Sequence, residues 1–186
     1  MTKKIFILLI IFNVNITILF ASTKENIILN FKKIQNISFK FKQTIGEKTE
    51  EGNCIIQYPK KIYCIYNNYK KKIIVSNGKT LVIKNQNNNQ YYRYSLKRTP
   101  LDLILNKNFL IKEMLNSNSK LIDDKYYNFS IINNDNKINI FFDNKSYDLM
   151  GWQTEDIYQN LVITYIYNIE KNKKIDDKLF KLPKLN

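Results

Sequence analysis

The chain has 186 residues, with 30 Lys+Arg against 16 Asp+Glu, 2 Cys and no His. Without histidine there is no imidazole base, no imidazole metal ligand and no Ser-His or Cys-His nucleophilic pair. Two cysteines alone are too few soft ligands for a zinc site, so the composition predicts no metal, no cofactor and no enzyme. A net charge of +14 suggests an anionic partner, nucleic acid or a membrane face. However, the lysines come with a general excess of Asn and Ile and with only 4 Gly and 3 Pro, which reads as a whole-chain residue bias and not as a basic groove. The Asn-x-Ser/Thr matches at Asn15, Asn36, Asn128 and Asn144 are discounted on the same ground.

Lys3 and Lys4 precede an apolar run from Ile5 to Phe20, closed by the small residues Ala21 and Ser22. A basic start, a short apolar middle and a small-residue end predict a secretory signal peptide over 1–21. The run holds Asn13, Asn15 and Thr17 and falls short of the roughly 20 apolar residues of a spanning helix. No cysteine lies near the junction to receive a lipid, so the exported chain is expected to be a soluble single domain over 22–186. Its location is then periplasmic.

Ser22-x-x-Glu25 has the form of a capping box. Ile27, Phe31 and Ile34 follow at helical spacing and predict a helix of about three turns. From Ser38 the period changes to 2. Ser38–Gln43, Cys54–Tyr58, Ile62–Tyr66, Ile73–Val75 and Thr80–Ile83 read as short strands, separated by turn signals at Gly46, Gly52, Pro59-Lys60, Asn67-Asn68 and Asn77-Gly78. Asn77-Gly78 predicts a type I′ hairpin with both residues at positive φ. Asn85–Asn89 reads as a loop and Gln90–Leu96 as extended. A second helix is expected from Thr99 as N-cap and Pro100 at its first position. Its apolar side holds Leu101, Ile104, Leu105, Phe109 and Met114, and it ends at Asn116–Ser119. Strands follow at Tyr126–Ile132, Lys137–Phe142 and Asn160–Ile169, with an Asn133–Asn136 turn and a short strand at Trp152–Asp156. Many strands with two or three helices predict the α+β class.

Candidate chemistry is sparse. Asp123-Asp124 and Asp176-Asp177 are neighbours whose side chains diverge, so they read as solvated charge. Tyr91, Tyr92, Arg93, Tyr94, Lys97 and Arg98 interleave rings and cations as single-strand nucleic-acid sites do, but a half-buried strand explains them equally, and no nucleic-acid partner is expected of an exported protein. Lys70–Lys72 reads as a charged edge or turn. With Pro59 at the centre of its hairpin turn, Cys54 lies opposite Cys64, close enough for a disulfide in an oxidising compartment. The alternative is two buried thiols.

The order Gly-x-Cys-x-Ile-x-Tyr-Pro from Gly52, an aromatic run, then Ile-Val-Ser-Asn-Gly-Lys-Thr-Leu resembles the LolA family of periplasmic lipoprotein carriers. Phe39-x-Phe-x-Gln43, Thr99-Pro100-Leu101 and Asp176 to Phe180 are similar to further family segments. The resemblance implies an incomplete, strongly curved antiparallel β-barrel whose open side is covered by helices, with acyl chains held in the apolar space between. It also implies acylated lipoproteins as cargo, an inner-membrane LolCDE-type ABC transporter as donor, an outer-membrane LolB-type receptor as acceptor, and a monomer. Alternation along the strands then assigns the cavity to Ile56, Tyr58, Ile62, Tyr66, Leu81 and Ile83, with Leu101, Ile104 and Leu105 from the lid. The same residues would equally fill a closed core. Two positions depart from the family. Tyr58 stands where the family has the arginine that helps hold the lid, and Cys54 and Cys64 stand at bulky apolar and tryptophan positions. A tyrosine hydroxyl bonding a lid carbonyl is the substitute this suggests. Other functional classes are a periplasmic lipoprotein-binding sensor or regulator of the same fold, and a basic nucleic-acid module.

The leader predicts an exported form beginning at Ser22. Intact mass of the periplasmic protein checks this, and retention of 1–21 would refute it.

Overall fold

A computed structural model describes residues 22–87, 90–133, 136–156 and 159–184. The leader over 1–21 and the centre of the Asn133–Asn136 turn therefore lie outside the described residues.

The first element, α1 (Thr23–Lys33), starts on the expected capping box. Ser22 Oγ accepts from the Glu25 N–H at 3.3 Å, and Glu25 Oε2 accepts from the Ser22 N–H at 2.7 Å. Its buried face is Ile27, Ile28 and Phe31. Six strands follow in a continuous meander: β1 (Asn36–Ile45), β2 (Lys48–Gln57), β3 (Lys61–Tyr66), β4 (Lys72–Asn77), β5 (Thr80–Asn85) and β6 (Tyr91–Ser95). A 3₁₀ turn at Leu96–Arg98 leads into α2 (Leu101–Ile104) and α3 (Lys107–Asn116). A second meander returns: β7 (Ser119–Ile122), β8 (Tyr126–Asn133), β9 (Asn136–Asp143), β10 (Leu149–Glu155) and β11 (Leu161–Lys171).

The two meanders meet where β11 pairs antiparallel with β1, from Ile37 opposite Lys171 to Ile45 opposite Val162. Among the described residues one sheet of 11 strands results, in the order β6-β5-β4-β3-β2-β1-β11-β10-β9-β8-β7. Twist accumulates across so many neighbours and curls the sheet, since open sheets of this size rarely stay flat. The chain between edge strands β6 and β7 is the helical segment, which covers the concave side. Close backbone approach needs glycine within this sheet. A Cβ on Gly52 would sit 2.2 Å from the Ile65 carbonyl and 2.8 Å from the Phe41 ring, and one on Gly151 would sit 2.1 Å from the Thr164 carbonyl. Gly52 is thus a strand residue and not the turn that its glycine suggests.

Three further expectations are corrected. The Asn77-Gly78 hairpin places Gly78 and Lys79 in the loop. Only Gly78 has positive φ, at 97°, while Asn77 ends β4 and its side chain accepts from the Lys79 and Thr80 N–H groups. The second helix is two helices. Thr99 does not cap it; its hydroxyl donates to the Leu96 carbonyl, and a new start at Asn106, whose side chain accepts from the Phe109 N–H, breaks the run. The periodic apolar positions continue through that break, so periodicity did not reveal it. Ser119, read as part of the helix end, opens the edge strand β7.

Lysines tie the helices together. Lys24 of α1 donates to the Leu115 and Ser117 carbonyls at the end of α3, and Lys107 of α3 donates to the Lys32 and Ile34 carbonyls at the end of α1. Cations at helix C-termini satisfy orphan carbonyls and complement the dipole. On the convex face, the 3₁₀ turn Asp177–Phe180 lies against β3 and β4, with Phe180 buried and Asp177 bonded to Lys61 at 2.9 Å. Val75 and Val82 are buried outside the main core, on that same face. No described helix is long and apolar enough to cross a membrane.

Cys54 and Cys64 are register partners of β2 and β3 and form a disulfide. Gly52→Ala is expected to lose about 2–3 kcal/mol, because the added carbon must displace backbone or an aromatic ring; chemical denaturation of the two proteins measures this.

Candidate functional site

The concave side of the sheet is occupied unequally. Beneath α1 and α3 it is packed solid: Phe31 meets Phe142 and Tyr58 edge-to-face at 5.5 and 5.9 Å, Phe129 meets Phe142 at 5.8 Å, and Leu110 and Met114 are buried with them. Beneath the short helix α2 the space is open. A cavity of about 350 Å³ lies between α2 and the inner faces of β1–β6, β10 and β11.

Of the residues assigned to the cavity from sequence, Ile62, Tyr66, Leu81, Ile83, Leu101 and Ile104 line it. Ile56, Tyr58 and Leu105 do not. Ile56 and Leu105 are fully buried in the packed core, and Tyr58 stands beside Phe31 with the Lys107 ammonium 5.6 Å above its ring. Alternation placed Ile56 and Tyr58 on the correct face; what it does not encode is which stretch of that face lies under α3 and which under α2. Phe39, Phe41 and Gln43 of β1 also line the cavity, together with Trp152, Val162 and Thr164 of β10 and β11. The β1 residues were legible from their own alternation. Those of β10 and β11 join them only through the non-local pairing of chain ends. The disulfide forms part of the wall, where both sulfur-bearing residues face the open space.

The lid is held from the β2–β3 turn. The Lys60 N–H donates to the Leu105 carbonyl at 3.0 Å, and Lys60 Nζ pairs with Asp102 Oδ1 at 2.9 Å. Lys60 itself has φ of 67°, and its carbonyl accepts from the Ser76 hydroxyl at 3.0 Å. The lid carbonyl thus bonds a backbone N–H of Lys60, whereas sequence reasoning offered it to Tyr58. Burial pushes the Tyr58 hydroxyl up and the Lys107 ammonium down from their ordinary values.

At the other end of the cavity the Tyr66 ring lies under Lys72 Nζ at 3.7 Å, and Lys72 also pairs with Glu50. The Tyr66 hydroxyl is pushed up, first by burial and then by the Glu50 charge, so it stays protonated and donates to Gln43 Oε1 at 3.2 Å. Arg98, Glu155 and Asp156 stand among the lining residues. Among the described residues no group of His, Cys, Asp or Glu is placed to hold a metal ion.

The sequence model of the family described as outer membrane lipoprotein carrier protein LolA matches residues 32–183. The chain belongs to the LolA family. Among solved structures it is similar to an uncharacterized conserved protein from Thermus thermophilus, at 6% identity and TM-score 0.52, covering 84% of this chain and 93% of that one. It is also similar to the LolA superfamily protein NE2245 from Nitrosomonas europaea, at 10% identity and TM-score 0.45, covering 87% and 99%. A third is a putative outer membrane lipoprotein-sorting protein domain from Vibrio parahaemolyticus, at 7% identity and TM-score 0.47, covering 83% and 94%. Searching the curated proteins gives no match. At such identities the likeness is one of fold. In this LolA-family chain the fold is an open, curled antiparallel sheet with helices across its concave side, and the apolar cavity lies within it.

The Lys60–Asp102 pair is partly buried, with side chains 25% and 15% exposed. Lys60→Met keeps the stem and the backbone bond but removes the ion pair. It is expected to free the lid by about 1 kcal/mol, read as roughly fivefold faster hydrogen exchange of the amides in 101–105 with the sheet unchanged.

Proposed function

We propose that this protein is a periplasmic carrier which shields the acyl chains of lipoproteins in the cavity beneath α2 and moves them between membranes. One observation carries the reading. An otherwise densely packed molecule keeps an apolar cavity of about 350 Å³ at the place where its lid is a single turn of helix held by one lysine. Interiors normally fill such space, since an unfilled void forfeits packing contacts. A methylene gains about 0.8 kcal/mol on leaving water, so even one enclosed chain gives useful affinity for aqueous transit. Among the described residues the walls consist mainly of Ile, Leu, aromatic rings and a disulfide, which suits the binding of an apolar chain.

Export through a cleaved leader over 1–21 would place the domain between the membranes. An inner-membrane LolCDE-type ABC transporter is the donor this reading requires, and an outer-membrane LolB-type receptor is the matching acceptor. The Lys60 contacts hold α2 over one side of the cavity and so help set how much of it stays open to a ligand.

The assay is release of a mature lipoprotein from inner-membrane vesicles into the soluble fraction. Ile62 and Leu81 are 2% and 3% exposed on the cavity wall, so a carboxylate there is desolvated without a partner. Ile62→Glu and Leu81→Glu should lose most release; Ile83→Glu, at a half-buried wall position, should do so with less effect on folding. Lys71→Glu, in the exposed β3–β4 turn, should release as the wild type does. Failure of the folded wild-type protein to release lipoprotein or bind acylated peptide would overturn the proposal.

A further inference from the structure

Charge is divided unequally between the two meanders. From Gly52 to Leu101, the segment that runs from the end of β2 through β6, there are ten Lys and Arg and no Asp or Glu. From Ser119 to Lys171, which forms β7–β11, eight Asp and Glu outnumber five Lys and Arg. A lysine bias acting on the whole chain does not separate charge in this way. The strand order places β6 at one end of the sheet and β7 at the other, so the sheet is cationic toward β6 and anionic toward β7.

Three of the ten cations are matched by acids from elsewhere: Lys60 by Asp102, Lys61 by Asp177 and Lys72 by Glu50. Lys97 and Arg98 share a hollow with Asp102, Glu155 and Asp156, and Lys70 and Lys71 lie in the β3–β4 turn, inward from the edge. Lys79, Lys84 and Arg93 remain, and they gather at the β6 edge. Arg93 is the register partner of Val82 and so stands on the convex side. Lys84 is its diagonal neighbour there, roughly 7–8 Å away. Lys79 is in the turn that enters β5. The C-terminal segment crosses beside them: the Tyr91 hydroxyl donates to the Pro183 carbonyl and Lys84 Nζ to the Lys184 carbonyl, both at 3.2 Å. That segment brings Lys181 and Lys184, and no acidic side chain follows Asp177. On the concave side of the same edge strand, Tyr92 and Tyr94 lie opposite Ile83 and Leu81 and are 44% and 45% exposed. Tyr94 also lines the cavity, which therefore reaches the surface at this edge.

We propose that the β6 edge docks the protein on the anionic phospholipid surface of a membrane, with the cavity opening beside the bilayer. The choice of a bilayer rests on the export reading above; the docking surface itself does not depend on what the cavity holds. Cations without neighbouring acids complement lipid phosphates, and half-exposed tyrosines beside them match the headgroup zone, where amphipathic rings and basic side chains both sit. The cations project from an edge and a convex side, which suits a flat partner. A single nucleic-acid strand is held instead in a groove that tracks its backbone. An anionic leaflet attracts the β3–β6 half and repels the β7–β11 half, and this sets the orientation of approach.

The test is co-sedimentation of the exported chain with vesicles at low salt. Vesicles of equal parts phosphatidylglycerol and phosphatidylcholine should bind it more than about tenfold more tightly than phosphatidylcholine alone. The difference should vanish in about 1 M salt, where the screening length is about 3 Å. Each Lys or Arg near an anionic leaflet contributes roughly fivefold, so the triple variant Lys79→Gln, Lys84→Gln, Arg93→Gln is expected to weaken binding on the order of a hundredfold. The triple variant Lys120→Gln, Lys137→Gln, Lys145→Gln removes the same charge from the other half and should bind nearly as the wild type does. If the edge triple does not fold, Arg93→Gln alone, at an exposed position, should still cost roughly fivefold. Equal losses in the two triples reduce the effect to net charge and overturn the edge. So does equal binding to both kinds of vesicle, or a single-stranded oligonucleotide that binds more tightly than the anionic vesicles. A wild-type protein that releases lipoprotein but binds no vesicle overturns the docking surface and leaves the carrier reading. Vesicle binding with neither lipoprotein release nor binding of acylated peptide supports the docking surface and overturns the carrier reading.

Discussion

The pairing of β1 with β11 is the constraint on which the rest of the molecule depends. It joins residues near both ends of the chain, from Ile37 with Lys171 to Ile45 with Val162. Each meander alone is a local structure of hairpins. Once β11 docks on β1, the two become one sheet whose far edges are β6 and β7, consecutive in the chain yet at opposite ends of the strand order. The connection between those edges must cross the concave side, and it does so as α2 and α3. The lid is therefore a topological consequence of that pairing and not a separate module. The glycines at 52 and 151 serve the same curvature by letting backbone approach where a side chain would collide.

Why one half of the concave side is full and the other hollow follows from helix length. α3 has ten residues and presents Leu110, Ile111 and Met114, enough with α1 to reach the aromatic cluster of Phe31, Phe129 and Phe142. α2 has four residues, and only Ile104 is buried on it. A helix so short has little intrinsic stability and fills little volume, so the sheet beneath keeps its apolar wall uncovered. The Lys60 contacts and the Leu105 carbonyl hold it. Among the described residues it is held by the Lys60–Asp102 ion pair, the Lys60–Leu105 hydrogen bond and the burial of Ile104 and Leu105.

The lysine surplus has local uses that a net charge conceals. Lys24 and Lys107 satisfy carbonyls at the ends of the opposite helices, Lys60 ties the lid, Lys61 binds the C-terminal turn and Lys72 neutralises Glu50 over an aromatic ring.

The sequence by itself determined the local elements and the family. Capping at Ser22 and Glu25, alternation through β1–β5 and the opposition of Cys54 to Cys64 are near-neighbour relations, written in spacing and turn residues. The ordered hairpin motifs similarly pointed to an incomplete barrel with a helical cover. What spacing could not encode was how distant segments share one surface. The split at Leu105–Asn106 arises because Asn106 caps a new helix while Lys60, from a distant turn, bonds Leu105. Ile56 and Tyr58 carry the same inward signal as Ile62 and Leu81, yet Tyr58 packs on Phe31 of α1 and Ile56 is fully buried, as is Leu105 at the end of α2, while Ile62 and Leu81 face open space. Gln43 and Thr164 acquire their relation only through the β1–β11 register. Local free energies decide which face a residue shows; tertiary contacts decide whether that face is filled, because filling depends on what arrives from elsewhere in the chain.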